Sequence, residues 1–600
     1  MGYSKKQGED CMSSSSPSVL ETFNYLWPNI WTKNTFLGKL YVISSLLLIF
    51  IAIAFNLSTP LFLKEAVLAL SNERTFIQIA PLLLIVTYAV VWSASKIFVL
   101  ISQAVAYPVE IDTARRFSLQ LFNHIHELST RYHKDRKLGE LLSVIERTNS
   151  ATVRLIGRPA IMLLPIFVEI TVAIIVLSYF YDIRFGAVLF SMLALYSFLN
   201  YFTSDWVVES RKRQNEKDSA SNSFIVDSLL HAETVKCFNT QPYEVNEAMR
   251  LLKEKEIEDT NMLQTDAKIH LAQSAIVGLC IIIMTYMSGE EVVRGNMNVG
   301  DFVFIHGYLL LFMLPLSTLG YNIRLLRNDM TQFKTAIDIL NIPIEIKEKN
   351  KAPEIDYIKG DIKFNNIKFG YIDTRIILKN LTFSVRAGTT VAIVGESGSG
   401  KSTIARLLYR LYDLDDGEIL IDNQNIKNIT KHSLRNILGI VSQETSLFND
   451  TLKENLVYGD PSCDDNKLKN AIKSANLESF INKLPEGLET LVGERGLKLS
   501  GGEKQRASIA RMLIKNPKIF IFDEATSSLD MKTEKEIQDC LNDISEGITT
   551  IIIAHRLSTI KHADNIIVLK EGGIIEQGSH EALINKGGAY KTLWDAQISD

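Results

Sequence analysis

Leu40–Leu63 holds 24 consecutive residues without an Asp, Glu, Lys or Arg. A helix needs about 20 apolar residues to cross a hydrocarbon core of roughly 30 Å, and few water-soluble folds have any use for such a run. Four more runs lack these charges over 20 or 21 residues: Thr75–Ser95, Phe185–Ser204, Ile269–Gly289 and Phe302–Asn322. Pro159–Tyr181 carries a single one, Glu169. Six runs of this length predict six membrane spans rather than a buried soluble bundle. Composition agrees once the chain is divided. Residues 1–330 hold 59 charged residues and the remaining 270 hold 73, so an apolar half precedes an ordinary water-soluble one. The net charge of −4 gives no reason to expect nucleic acid as a partner. Five scattered cysteines without a C-x-x-C pair exclude a disulfide framework or a Cys-rich zinc site.

The connections fix an orientation. Those after the first, third and fifth runs are short (Ser71–Arg74, Asp182–Arg184, Glu290–Asn298), each with one Arg and no Lys. The stretches after the second and fourth are long and basic, with Arg115, Arg116, Arg131, Lys134, Arg136, Lys137 and Arg147, then Arg211, Lys212, Arg213 and Lys217. The positive-inside rule places these stretches and both termini on the cytoplasmic or equivalent side. Apolar residues recur at helical spacing through both, as in Phe117, Leu121, Ile125 and Leu128. The membrane helices therefore continue past the bilayer, reverse and return. The Ser-rich start reads as a tail, with no signal-peptide core and a poor match to a transit peptide. The expected plan is all-α, then α/β. A tail and lead-in helix cover residues 1–36. A six-span transmembrane domain with long cytoplasmic helical extensions covers 37–340, its spans near 40–63, 75–107, 159–181, 185–204, 269–289 and 302–322. A linker covers 341–360 and a nucleotide-binding domain 361–600.

In the polar half, short runs Ile362–Phe364, Ile367–Tyr371 and Leu381–Val385 read as strands. Thr390–Val394 is a continuous apolar strand of the kind buried on both faces. It leads into Gly395, Glu396, Ser397, Gly398, Ser399, Gly400, Lys401, Ser402 and Thr403. This G-x-x-x-x-G-K-S pattern between strand and helix is a phosphate loop. Its glycines let amides face phosphate, Lys401 reaches the β- and γ-phosphates of ATP, and Ser402 offers a hydroxyl to Mg²⁺. Lys518–Glu524 is a second apolar strand ending in two acids. Asp523 suits the metal shell, and Glu524 sits where it can orient and deprotonate the attacking water.

Between these strands lies Leu499-Ser-Gly-Gly-Glu-Lys-Gln-Arg506. Here the chain resembles the ATP-binding cassette (ABC) family, whose own signature is Leu-Ser-Gly-Gly-Glu or -Gln. The resemblance implies that Ser500, Gly501, Gly502 and Glu503 face the γ-phosphate held by the cassette of a second copy, so that the working unit is a homodimer with twelve spans. It also implies that Tyr371 stacks on adenine and that Gln443 senses Mg²⁺ and, with Ser402, holds it. Asp530, in Ser528-Leu-Asp530, crosses the dimer interface by the same resemblance, and His555 is the switch that holds the γ-phosphate and Glu524.

Six spans followed by a cassette are similar to an ABC exporter of the type IV fold. Several stretches resemble the mitochondrial ATM-type exporters and their bacterial relatives, which handle glutathione-derived and sulfur-containing compounds: Tyr25–Pro28, Leu128–Arg147, and above all Asp227–Glu244, DSLLHAETVKCFNTQPYE. The resemblance implies an ATPase that drives export by alternating access and is linked to iron–sulfur protein biogenesis. It implies a mitochondrial-type inner membrane, a reduced mitochondrial organelle or a bacterial plasma membrane. Coupling regions fall near Tyr132–Leu142 and His231–Tyr243. The family's ligand positions map onto Arg211, His270, Gln273, Ser317, Gly320 and Arg324. The match is partial: Val207 stands where the family has the first of two arginines, His270 where it has Asn, and Ser317 where it has Asn. An exporter of lipids or hydrophobic drugs shares every cassette residue and is the alternative. Glu169 is costly in lipid and should face the bundle or a cavity.

Overall fold

The computed structural model describes residues 19–30, 36–71, 76, 79–135, 138–349, 352–355, 358–372, 374–443, 445–493, 496, 499–523, 531–554 and 556–598. The chain divides into two compact units, one of residues 1–127 and 136–342, the other of residues 128–135 and 343–600.

The first unit is helical. It contains α1 (Val19–Ile30), α2 (Phe36–Leu70) and α3 (Pro81–Glu127). A short helix of the second unit, α4 (Thr130–Asp135), interrupts it in sequence. There follow α5 (Leu138–Arg158), α6 (Leu164–Phe180), α7 (Ile183–Leu230), α8 (Ala232–Cys237), α9 (Gln241–Val293) and α10 (Val299–Leu340). Among the described residues, α2, α3, α7 and α9 are long and apolar enough to cross a membrane, while α6 and Val299–Phe312 of α10 are shorter apolar stretches. The 48 residues of α7 rise 1.5 Å each, roughly 72 Å, more than twice the hydrocarbon thickness. Much of each long helix therefore lies outside lipid, as the amphipathic loops predict.

Two details depart from the sequence pattern, both at proline. The second apolar run lacks charge from Thr75 onward, but α3 starts at Pro81, where a missing N–H costs no helical hydrogen bond. The Pro159–Tyr181 run is not one α-helix. Pro159–Leu163 forms a π-helical turn before α6, whose first turn contains Pro165. Proline has no N–H to give and its ring crowds the carbonyl four residues earlier, and a widened turn accommodates both. Helix α10 opens with a capping box between Asn298 and Asp301. Asp301 also takes an ion pair from Lys64 at 2.6 Å and a hydrogen bond from the Tyr181 hydroxyl at 3.0 Å, tying the ends of three helices together.

The second unit is α/β. A six-stranded sheet has the order β10-β9-β3-β8-β7-β6, built from β3 (Thr390–Gly395), β6 (Leu438–Val441), β7 (Ile519–Asp523), β8 (Thr549–Ile553), β9 (Asn565–Lys570) and β10 (Gly573–Gly578). All neighbours are parallel except the β9–β10 hairpin. A smaller antiparallel sheet has the order β2-β1-β4-β5, from β1 (Ile362–Ile372), β2 (Arg375–Val385), β4 (Asp416–Ile421) and β5 (Gln424–Asn425). The two runs read as separate strands at 362–371 are one strand. Asn366, at φ 49°, makes a bulge between Phe364 and Ile367 and keeps both on the buried face. Helices α11 (Lys401–Leu408) and α12 (Gly501–Lys515) belong to this unit. The linker segment is bonded to it: Arg410 donates to Lys347 O at 3.1 Å, and Glu348 accepts from the Lys431 amide at 2.6 Å.

Candidate functional site

The phosphate loop joins β3 to α11 at the carboxyl edge of the parallel strands, where open α/β sheets hold ligands. Its shape demands glycine at two positions. Gly395 has φ 151°, and a Cβ there would lie 2.2 Å from Leu569 O on the paired strand β9. Gly400 has φ 100°, and a Cβ there would lie 2.6 Å from Leu378 Cδ2. Such backbone leaves amides free to converge on an anion at the start of α11. Ser399 Oγ is buried in the loop and has no hydrogen-bond partner. Lys401 is buried and donates from Nζ to Gly395 O (2.9 Å) and Glu396 O (3.1 Å). Ser397 and Gly398 form the exposed crown of the loop.

Ser402 Oγ donates to Asp523 Oδ1 at 2.9 Å, joining the loop to the end of β7 across 121 positions of sequence. Val441 pairs with Phe522, so Gln443, exposed two residues past β6, follows the strand next to Asp523. Tyr371, at the end of β1, shares a hydrogen bond with Thr403 Oγ1 at 3.1 Å and accepts one from Arg406 at 3.0 Å. Its ring meets Phe369 and Tyr412 edge-on. Glu524, Asp530 and His555 lie outside the described residues. The strands before Glu524 and His555 are neighbours, with Asp523 opposite Ile553.

Ser500 caps α12. Its Oγ accepts from the Glu503 amide at 3.4 Å, while Glu503 Oε2 accepts from the Ser500 amide at 2.7 Å. This is a capping box, and it engages Glu503 within its own chain. Ser-x-x-Glu before a helix was the available signal. Gly501 and Gly502 form the first turn.

In the helical unit, Gln273 is buried on α9. Its carbonyl oxygen meets His270 Nδ1 at 3.0 Å and its amide donates to Asn200 Oδ1 on α7 at 2.9 Å. Asn200 donates in turn to Tyr196 O, whose hydroxyl reaches Leu316 O on α10. Three helices are thus linked, and Asn200 is a member that no spacing in the sequence marked. Arg211 Nε is buried without a hydrogen-bond partner. Gly320 is buried on α10, whereas the side chains of Ser317 and Arg324 lie outside the described residues. Glu169 accepts from Asn56 Nδ2 at 2.8 Å, and Lys96 Nζ donates to Asn56 Oδ1 at 3.3 Å. Lys96 ends the uncharged run Thr75–Ser95, so the sequence pattern gives it only the role of a boundary. Among the described residues, no group of three His, Cys, Asp or Glu side chains is placed to hold a metal ion.

Known proteins match both units. Residues 378–527 match the family model described as "ABC transporter", and residues 42–316 match "ABC transporter transmembrane region". "Iron-sulfur clusters transporter ATM1, mitochondrial" of Kluyveromyces lactis is 36% identical over 97% of this chain and 83% of its own length. "Heavy metal tolerance factor 1" of Caenorhabditis elegans is 35% identical over 99% of this chain and 74% of its own. "ATP-binding cassette sub-family B member 6" of Mesocricetus auratus is 39% identical over 81% of this chain, which spans only 58% of that relative's length. Among solved structures, a bacterial Atm1-family ABC exporter with ATP bound superposes with a TM-score of 0.86 at 35% identity, covering 94% of this chain and 99% of that one.

Proposed function

This chain belongs to the Atm1-type ABC exporter half-transporters, and from that membership we propose that it uses ATP hydrolysis to export glutathione-derived or other sulfur-containing compounds. It is a multi-pass membrane protein with its nucleotide-binding domain on the cytoplasmic or matrix side. The observation that carries the reading is the joined phosphate loop and acidic strand end, Ser402 to Asp523, in one chain with a helical membrane unit. The names of the yeast and nematode relatives support a sulfur- or metal-linked cargo.

The working unit is a homodimer. ATP closes the two cassettes head to tail, so that the loop 395–403 of one copy meets Ser500–Glu503 of the other. The bare amides at the start of α12 then complete the phosphate site. Asp523, Ser402 and Gln443 offer the hard oxygen donors that magnesium takes. The ion, bound with the nucleotide, supplies neutralisation of phosphate charge. Glu524 orients and deprotonates the attacking water, His555 holds the γ-phosphate, Tyr371 supports the adenine, and Asp530 works at the cassette interface. Closure turns the membrane cavity outward and hydrolysis resets it. Arg211, His270, Gln273, Ser317, Gly320 and Arg324 form the cargo site, where arginine takes a carboxylate by paired hydrogen bonds. A cargo shifts the cycle only through its differential affinity for the two states, so cargo raises the ATPase rate.

The test is ATPase stimulation of the protein in liposomes by oxidised glutathione, thiol conjugates, lipids and drugs side by side. Stimulation by the thiol compounds alone is expected. Stimulation by lipids or drugs alone transfers the reading to that cargo class. Glu524→Gln is expected to bind ATP and lose turnover, and near-wild-type turnover would overturn the catalytic assignment.

A further inference from the structure

Helices α2, α3, α6 and α10, with the π-helical turn, line a cavity of about 450 Å³, and among the described residues none of Arg211, His270, Gln273 and Gly320 lines it. Most of its wall is apolar, including Ile49, Ile53, Val99 and Ile166. Lys96, Asn56 and Glu169 interrupt that wall from three different helices. Asn56 and Glu169 are 8% and 5% exposed.

The arrangement is unusual for a structural crosslink. An ion pair gains most when its charges meet directly. Here the Asn56 amide stands between them, accepting from the Lys96 ammonium and donating to the Glu169 carboxylate. An amide alone would bridge helices at far lower desolvation cost than two charges in an apolar setting. What the trio provides is a positive and a negative group held apart by the width of one amide. The oxygen and nitrogen of that amide sit on one carbon. An α-amino acid bears its ammonium and carboxylate on one carbon, which sets its nitrogen and oxygen one bond further apart than those of the amide, and the pair can replace the amide on both sides. The cavity also opens on α10 at Tyr321 and Asn322, within the Ser317–Arg324 stretch that carries proposed cargo residues. Its wall includes Met162 from the π-helical turn, a kind of irregularity frequent at functional sites.

We propose that this cavity is a second cargo subsite for the amino-acid head of the transported compound: Lys96 takes the carboxylate, Glu169 takes the ammonium, and the apolar wall takes the remainder. The proposal rests on the sulfur-compound reading and makes it specific, because γ-glutamyl peptides carry such a head.

The experiment compares S-methylglutathione with the analogue in which a glutaryl group replaces γ-glutamyl, so that only the ammonium is missing. Half-stimulating concentrations for ATPase are read in full-length protein in liposomes. One charge-assisted hydrogen bond changes affinity by about 10-fold or more. The wild type is expected to prefer S-methylglutathione by about that factor. Glu169→Gln is expected to erase the preference by weakening S-methylglutathione alone, and Lys96→Gln to weaken both compounds by about 10-fold. A selective loss of this kind does not follow from a merely structural role. A wild-type preference retained in Glu169→Gln overturns the subsite while leaving the sulfur-compound reading intact. No stimulation of the wild type by any glutathione compound sinks that reading first and the subsite with it. Should either variant fail to fold, Val99→Cys decides. S-Methylglutathione is expected to protect that thiol from maleimide, as read by peptide mass spectrometry, and the glutaryl analogue is not. Equal protection by the two, or none, counts against the subsite.

Discussion

The two units put their apolar side chains to different uses. In the α/β unit, strand β3 buries four consecutive residues and β7 does the same, so each side chain is held by protein on all sides. In the helical unit, Leu82 and Phe190, on two of the long apolar helices, stand 75% and 61% exposed. Polar groups follow the same division. The α/β unit positions its chemistry with backbone, through left-handed glycines and helix ends. The helical unit positions its polar groups with side chains that meet across helices, Gln273 with Asn200 and Lys96 with Asn56 and Glu169. Backbone devices are local and recur as motifs, whereas cross-helix networks depend on which faces happen to pair.

Three measurements press on this contrast. If backbone shape makes the nucleotide site, one methyl group should ruin it. Gly395→Ala is expected to cut ATPase turnover by roughly 100-fold or more, since Cβ and Leu569 O cannot coexist at 2.2 Å and strained backbone costs about 1–3 kcal/mol even before the clash. Turnover within a few-fold of wild type would mean that the loop bends more easily than its geometry implies. Next, Phe522→Ala should cost about 3–5 kcal/mol as a core truncation, against under about 0.5 kcal/mol for Phe190→Ala at an exposed position of α7. Thermal unfolding of the detergent-solubilised protein reads both, and equal losses would erase the distinction.

The smallest effect concerns Glu110, on α3 beyond its apolar stretch. Burial raises its carboxyl pKa from 4.5 to about 6. It lies against Gly157 of α5, where a Cβ would come within 2.5 Å of Oε1. The native state holds this proton more tightly than the unfolded chain. Stability therefore falls as pH rises from 4.5 through about 6, and the cost is complete above that window. Glu110→Gln should stabilise the protein by up to about 2 kcal/mol at neutral pH and by nothing well below pH 4.5. A gain that is the same at both pH values would show that the carboxyl is not strained by burial.

The sequence made the cassette legible because its functional groups lie in short contiguous strings: Gly395 to Thr403, Ser500 to Glu503, Asp523 at a strand end. It made the spans legible because lipid imposes length and lack of charge. It did not reveal the bulge at Asn366, which depends on pairing with β2, or the π-helical turn, which is a local response to Pro165. Gln273 was found through a family position, but Asn200, 73 residues away, gives no local sign of meeting it. Lys96 and Asn56 were hidden for the opposite reason: one bounded an apolar run and the other sat within one, so both passed as part of the membrane signal.

The capping box at Ser500 bears on the spelling of the family signature. Glu503 works there by reaching back to the Ser500 amide nitrogen at 2.7 Å. Glutamine has the same length and the same carbonyl acceptor, and aspartate is one methylene too short. The Glu-or-Gln choice after Leu-Ser-Gly-Gly then keeps the length of the side chain while its charge changes. At this letter of the motif the structure asks for a span to be bridged, and Glu and Gln both bridge it.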